Sequence, residues 1–289
     1  MQTGVGMRIS EALRDAAAQL AATSDTPRLD AELLMAHALG VSRSDLLLRH
    51  IGDPAPEAFA PLLARARNHE PVAYILGTQE FRSLPFLVNA AVLIPRPDSE
   101  VVVEAALAAR PGARRVLDCG TGSGALVLAA LYELSAATGV GIDRSPAALA
   151  VAAANAARLG LGERARLLRR DWSEPGWAAD LGTFDLILAN PPYVEDDADL
   201  APSVRAHEPA GALFAGPDGL DDYRVLIPQL PALLAPGGVA VVEIGATQAG
   251  AVGAIASAAG FAMRLHHDLA GRPRALQLHI SLDKTPPDA

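Results

Sequence analysis

The sequence predicts an α/β chain: a doubly wound, mostly parallel sheet preceded by a small helical module. Three observations carry that expectation. Before about position 77 the apolar residues recur at helical spacing, with no strand-like alternation. From about position 98 short apolar runs alternate with helical patterns, the order that builds a mostly parallel sheet covered on both faces. The length of 289 residues, 51% of them hydrophobic, accommodates one large domain and a smaller one, at roughly 100–200 residues per domain.

The N-terminal helical domain spans residues 1–76. Ile9, Leu13 and Leu20 mark one face of a first helix, and Leu29, Leu33, Leu34 and Leu39 give a second that Gly40 ends. Ser42 suits the N-cap of a short helix carrying Leu46, Leu47 and Leu48. A fourth helix runs from about Pro56 to Asn68, with Phe59, Leu62 and Leu63 inward. Residues 77–97 form a β-hairpin linker, with Phe81, Leu84, Phe86, Val88, Val92 and Ile94 in short apolar runs. Pro95 and Pro97 stiffen the chain before a helix that begins near Asp98 or Ser99.

Residues 98–289 hold the sheet. Strands are expected at Arg115–Cys119, Thr138–Ile142, Ala165–Arg169, Phe184–Ala189 and Val239–Ile244, with a closing pair at Ala262–His266 and Ala275–Ile280. Helices are expected at Ala125–Leu134, Pro146–Leu159, Asp221–Leu234 and Gln248–Ala259, with a long loop before the third of these. The tail, Asp283–Ala289, contains Pro286 and Pro287 and is expected to fray.

Composition narrows the function classes. The formal net charge is -9 and the pI about 5.2, and no Lys/Arg run exceeds the pairs Arg114-Arg115 and Arg169-Arg170. A nucleic-acid binder usually carries a basic face, so no direct nucleic-acid partner is expected. Residues 1–76 hold seven Lys/Arg against nine Asp/Glu, so this module is not basic either. The single cysteine, Cys119, cannot form an intramolecular disulfide, and no Cys/His cluster has zinc-site spacing. Met1 to Ser10 lacks the apolar core of a signal peptide. No run of about 18 apolar residues suggests a membrane span. The chain is expected to be cytoplasmic and monomeric, with no metal.

In an open sheet of this kind ligands bind beyond the carboxyl ends of the strands, and the distinctive residues fall there. The first strand runs into Gly120-Thr121-Gly122-Ser123-Gly124. Alternate glycines let the backbone turn tightly and approach a ligand. A dinucleotide fingerprint would place its third glycine one residue later, which favours a ligand without a pyrophosphate. The second strand ends at Asp143, 19 residues beyond Gly124. Its carboxylate can accept from both hydroxyls of a ribose, or serve at the start of the helix that Pro146 opens. Beyond the third strand, Asp171 can accept from an exocyclic amine, and Trp172 either lies against a base ring or packs in the core.

The fourth strand ends in Asn190-Pro191-Pro192-Tyr193. Two prolines fix the backbone and remove two N–H donors, leaving acceptors at the Asn190 side chain and the Pro191 carbonyl. A planar –NH2 group needs two such acceptors. Its lone pair is delocalised, and accepting both hydrogens shifts electron density onto nitrogen. Tyr193 offers a face to pack against the planar group. No strong general base is needed, because the nitrogen becomes acidic once alkylated.

These motifs resemble the amino-methyltransferase branch of the Rossmann-like methyltransferases. More narrowly, nearly the whole chain resembles the release-factor glutamine methyltransferases, the HemK/PrmC family. The segments that carry the likeness are Gly77-Thr78-Gln79-Glu80-Phe81, Ile94-Pro95-Arg96-Pro97-Asp98-Ser99-Glu100, the run from Leu117 to Gly124, and Asn190 to Tyr193. The resemblance implies a Rossmann-like, seven-stranded methyltransferase domain and S-adenosylmethionine as cofactor. It implies cofactor contacts at Gly120 to Gly124, Asp143, Trp172 and Asn190. The implied substrate is the glutamine of the Gly-Gly-Gln tripeptide in peptide chain release factors, held at Asn190, Pro191, Pro192 and Tyr193. Cys119 stands where an aliphatic residue is more usual, and His207 precedes Glu208-Pro209 where an aromatic is expected. Arg96 and Glu100 either line a ligand site or pair at a helix start, and Glu208-Pro209 reads as loop-forming. The alternatives are a glutamine methyltransferase of a ribosomal protein and a nucleic-acid amino-methyltransferase.

Overall fold

A computed structural model describes residues 7–280; the tail expected to fray and most of the segment from Met1 to Ser10 lie outside them. The chain divides into two compact units: one comprises the residues up to Thr78 with Leu200–His207, the other Gln79–Asp199 with the residues from Glu208 onward.

The first unit is helical. Helix α1, Ile9–Leu20, buries Ile9, Leu13, Ala16 and Leu20, and the Glu11 carboxylate accepts from the Arg8 amide at 3.2 Å, satisfying one free N–H at the helix start. Helix α2, Pro27–Leu39, opens on proline and ends at Gly40, whose φ of 69° is the left-handed conformation glycine takes without strain. Its inward face differs from the expected one. Ala31, Leu34 and Met35 are buried, whereas Leu29 is exposed and Leu33 half-buried. At about 100° per residue, Leu29 and Leu33 sit roughly opposite Ala31. Helix α3 is one turn, Arg43–Asp45, and the Ser42 hydroxyl caps it by accepting from the Asp45 amide at 3.0 Å. It runs into a π turn, Leu46–His50, in which only Leu46 is buried and Leu48 is exposed. Helix α4, Phe59–Arg67, buries Phe59, Leu63 and Ala66. A short helix α5, Val72–Leu76, follows where none was expected.

The second unit opens with a hairpin of β1, Thr78–Phe81, and β2, Leu84–Leu87. Both turn residues are left-handed, Arg82 at φ 48° and Ser83 at 59°, the pattern that matches the twist of two short strands. Here it is made without glycine. The Arg82 amide donates to Glu100 Oε1 at 2.8 Å, fastening the turn to helix α6, Glu100–Ala109. Glu100 thus holds the hairpin. The hairpin ends sooner than expected: Val88, Val92 and Ile94 are buried but lie outside any strand.

After a 3-10 turn at Pro97–Ser99 and helix α6, the chain continues as β3, Arg115–Cys119; α7, Ala125–Glu133; β4, Thr138–Asp143; α8, Pro146–Arg158; β5, Ala165–Arg169; and β6, Phe184–Ala189. The long loop contains an unexpected helix α9, Pro202–His207, which belongs to the first unit, and a 3-10 turn at Ala210–Ala212. Then come α10, Asp221–Leu226; β7, Leu234–Glu243; α11, Ala249–Ala258; β8, Phe261–His267; and β9, Pro273–Ile280. The single helix expected over Asp221–Leu234 breaks at Leu226 into a 3-10 stretch, Ile227–Leu233. Pro228 and Pro231 cannot donate to an α-helical ladder. Strand β7 starts earlier than expected, with a register shift against β6 between Phe184 and Leu186.

The seven strands lie in the order β5-β4-β3-β6-β7-β9-β8. Pairings from β5 to β7 are parallel, and β9 is antiparallel to both β7 and β8. Val116, Leu186, Leu188 and Val241 pack on one face with α6, α7 and the hairpin phenylalanines. Leu117, Ile187, Ala240 and Val242 pack on the other with Tyr223, Val252 and Phe261. Strand order reverses between β3 and β6, so the crevice at their carboxyl ends is where such a sheet receives a ligand.

Candidate active site

Strand β3 delivers the glycine loop. Gly120, Gly122 and Gly124 all have positive φ, at 76°, 54° and 84°. A Cβ on Gly120 would lie 3.1 Å from the Trp172 ring, and one on Gly124 would lie 2.8 Å from the Leu128 side chain. Gly120 therefore lets the loop meet the indole, while Gly124 lets α7 start close to its own second turn. Beneath the loop, fully buried Asp118 accepts from the Thr121 hydroxyl at 2.7 Å and the Val127 amide at 3.3 Å. Burial nevertheless pushes its carboxyl up to about 7. Asn155, also fully buried, accepts from the Leu87 amide at 2.6 Å and donates to the carbonyls of Leu87 at 3.0 Å and Ser123 at 2.9 Å. One side chain on α8 thereby ties the hairpin to the glycine loop.

Asp143, at the end of β4, uses both oxygens: Oδ2 accepts from the Gly122 amide at 2.9 Å and Oδ1 from the Ser145 amide at 2.8 Å. The N-cap of α8 is Ser145, whose hydroxyl accepts from Ala148 at 3.2 Å, so Asp143 does not cap the helix. Each carboxylate oxygen keeps a second lone pair for a ligand. Asp171 accepts from the amide and hydroxyl of Ser173 at 2.9 and 2.7 Å, and the Ser173 hydroxyl lowers its pKa against the effect of burial. Trp172 is half-buried, with its indole N–H donating to Asp222 at 3.1 Å.

Strand β6 delivers the turn from Asn190. Its Nδ2 faces the Ser99 hydroxyl at 3.4 Å. The amides of Tyr193 and Val194 both donate to the Leu213 carbonyl, at 3.1 and 2.8 Å, and the Tyr193 carbonyl accepts from Gln248 at 3.0 Å. The turn is thus held on both sides. Pro191 is buried. The Tyr193 hydroxyl donates to Glu243 Oε1 at 3.4 Å.

One cleft collects most of these residues. Gly120, Thr121, Gly122, Ser123, Asp143, Asp171, Trp172, Asn190 and Pro192 all line it. Gly124, Pro191 and Tyr193 do not; Tyr193 packs on the core layer behind the wall. Three further residues, in or near motifs singled out in the sequence, bear on the cleft. Ser99 lines the cleft beside Asn190. Arg96 lines it too, paired with Glu208 rather than Glu100. Glu208 is not merely loop-forming: its side chain is 1% exposed, and Oε2 also accepts from the Ile94 amide at 3.3 Å. Cys119 is buried, and burial raises its thiol well above the ordinary range, so it is no nucleophile. The glycine cradle, the carboxylate of Asp143 and the indole of Trp172 make an enclosure suited to an uncharged sugar and an aromatic base, and Asn190 lines the same cleft.

A mostly parallel seven-stranded sheet in this order, with a cleft beyond the strand ends, is the architecture of the Rossmann-like methyltransferases. Solved structures agree on the fold: a methyltransferase from Pyrococcus furiosus aligns at a TM-score of 0.53 with 16% identity, over 76% of this chain and 98% of that one. Residues 112–252 match the family described as methyltransferase domain, and residues 11–77 match the PrmC N-terminal domain. The release factor glutamine methyltransferase of Cereibacter sphaeroides is 45% identical over 282 residues, covering 95% of this chain and 99% of that protein. That of Bradyrhizobium diazoefficiens is 41% identical over 98% of this chain and 97% of its own length. The chain belongs to the release factor glutamine methyltransferase family.

Proposed function

We propose that this protein transfers a methyl group from S-adenosylmethionine to the side-chain amide nitrogen of the glutamine in the Gly-Gly-Gln motif of peptide chain release factors. The observation that carries the reading is the rigid turn that brings Asn190 and Pro192 to the cleft wall, in a chain nearly half identical, end to end, to enzymes named for that reaction.

The chain's residues fit the cofactor. Gly120, Thr121, Gly122 and Ser123 form a cradle that a Cβ at Gly120 would crowd. Asp143 offers lone pairs toward a ribose, and Asp171 and Trp172 offer an acceptor and a ring face toward an adenine. When bound, the sulfonium supplies the methyl group. Asn190 Oδ1 and the Pro191 carbonyl accept the two amide hydrogens, drawing electron density onto nitrogen and fixing it for in-line attack. The proton lost afterwards needs no dedicated base.

Residues 1–76 we assign to recognition of the release factor, since among the described residues none before Phe81 lines the cleft. The protein works on a protein partner in the cytoplasm, as a monomer and without direct contact to nucleic acid. Incubation with a purified release factor and S-adenosylmethionine, followed by mass spectrometry, tests the reading. A gain of one methyl group on the Gly-Gly-Gln glutamine is expected; label on nucleic acid, or on another residue, would overturn it.

A further inference from the structure

We propose that Ser99 and Glu243 are positioning residues that decide which way round the Asn190 amide sits, so that its oxygen and not its nitrogen meets the substrate. The inference rests on the glutamine reading above and deepens it. An asparagine amide has nearly the same shape either way round, so its hydrogen-bond partners alone choose the orientation. The choice matters here: an amide presenting –NH2 to a substrate –NH2 could not hold it.

Asn190 lies just beyond β6, and Glu243 ends β7, its parallel neighbour, with Ala189 paired to Val242. Nδ2 of Asn190 donates to Ser99 Oγ. Having accepted there, the Ser99 hydroxyl must donate elsewhere. The Glu243 carboxylate lies within its influence, since Ser99 favours the charged form of that group. Glu243 is 1% exposed; its Oε1 accepts from Tyr193, and its Oε2 is buried with no partner in hydrogen-bond geometry. An orphaned carboxylate oxygen is a strong buried acceptor. The inferred chain of donors runs from Asn190 to Ser99 and on to the unpartnered Oε2 of Glu243, while Tyr193 donates to Oε1. Both contacts at 3.4 Å are long, leaving room to tighten around a bound substrate.

The polarity of this chain depends on Glu243 being ionised, because a carboxylate only accepts. Burial pushes its carboxyl up to about 7, against Ser99, Arg274 and Tyr193, which favour the charge. The groups facing it are Asp98 and Ser99 of the 3-10 turn, Tyr193 after β6, Arg274 of β9 and Tyr223 of α10. Asp98 is itself paired with Arg272 and Arg274 at 3.1 and 2.9 Å. Tyr223 donates to the Glu243 backbone carbonyl at 2.9 Å and leaves the carboxylate alone. No histidine lines the cleft. Once protonated, Glu243 becomes a donor to Ser99, Ser99 can donate to Asn190, and the amide turns its nitrogen outward.

The test measures kcat for release-factor methylation by the full chain, with both substrates saturating, across about pH 6 to 8. In the wild type kcat should rise about tenfold over that span, as the ionised fraction of a group titrating near 7 does. E243Q should lower kcat and flatten the profile, with little change in KM for S-adenosylmethionine. Should E243Q fold poorly, S99A breaks the same chain while leaving Glu243 in place, and the same flattening is expected. A slope that survives in both variants, or a uniform loss at every pH, overturns the proposal. A second readout needs no turnover. In ¹³C-glutamate-labelled protein, the carboxyl resonance missing from E243Q should titrate near 7, and a midpoint in the ordinary carboxylate range overturns the proposal. A wild type that methylates at no pH overturns the glutamine reading itself; methylation whose slope persists in E243Q and S99A overturns this inference alone.

Discussion

A Cβ on Gly120 would lie 3.1 Å from Cη2 of Trp172. The loop from β3 and the indole beyond β5 therefore touch through a position that admits no side chain. Gly120→Ala adds that methyl at a φ of 76°, which costs a non-glycine residue about 1–2 kcal/mol before any clash. We expect it to push the indole outward and weaken S-adenosylmethionine binding more than it weakens the fold. Asp143→Ala should weaken binding as well, by about 1.5–3 kcal/mol per bond lost to the charged group. Calorimetry on both folded variants checks this. Wild-type affinity in either one would remove that residue from the cofactor site.

The Arg96–Glu208 pair gives a second expectation. Glu208 is buried while the Arg96 side chain is 39% exposed. Removing the acid strands a cation that can still reach water, and also leaves the Ile94 amide without its acceptor. Glu208→Ala should cost about 1–3 kcal/mol of stability, the penalty for an unpaired buried donor. Glu208→Gln should cost less, because it keeps that acceptor. Chemical denaturation of the two variants checks the order. Equal stabilities would mean that the carboxamide oxygen cannot replace the carboxylate toward Ile94.

What the sequence revealed and concealed follows from the range of each interaction. The glycine loop and the Asn190–Tyr193 turn are contiguous, so neighbouring residues alone single them out as candidates. Strands β3, β5 and β6 coincide with the expected spans because each centres on consecutive apolar residues, Val116-Leu117, Leu167-Leu168 and Leu186-Ile187-Leu188-Ala189. The break at Leu226 was legible too: Pro228 and Pro231 stand inside the segment expected to be one helix. Asn155 and Glu208 were not. Asn155 acts on a residue 68 positions away and Glu208 on one 112 positions away, and no local pattern announces such a pairing. Glu243 left a faint mark as the one charged residue in Val239-Ala240-Val241-Val242-Glu243-Ile244. A carboxylate there must either leave the sheet or be buried at a cost.

The contribution of Asp118 to stability should fall as pH rises from about 4 to 7. Asp118 has its folded pKa raised from 3.8 to about 7 by burial. In that window the folded state holds a proton that the unfolded state has released. The stabilisation is complete below the ordinary value and is lost as pH climbs through about 7, at up to about 1.4 kcal/mol per pH unit. Asp118→Asn, which cannot ionise and still accepts from Thr121, should show a shallower decline. Denaturant melts at a series of pH values compare the two slopes. Parallel slopes would mean that Asp118 ionises normally in the folded protein.

The last expectation concerns the chemistry at Asn190. If Oδ1 and the Pro191 carbonyl accept the two hydrogens of the substrate amide, Asn190→Ala leaves one N–H unpaired in a buried site. That costs about 1–3 kcal/mol, or roughly a tenfold to hundredfold loss in rate at about 1.4 kcal/mol per decade. Asn190→Asp keeps the shape and an acceptor but sets a negative charge beside the bound sulfonium. The charge favours the cationic ground state over a transition state in which the charge is dispersing, so this variant should be slow as well. It also removes the donor to Ser99, so its rate should no longer follow the ionisation of Glu243. Replacing the release-factor glutamine by glutamate should abolish transfer, because no –NH2 remains to be held. Single-turnover rates with saturating cofactor separate these effects from binding. An Asn190→Ala enzyme that methylates at the wild-type rate would show that the amide is held elsewhere.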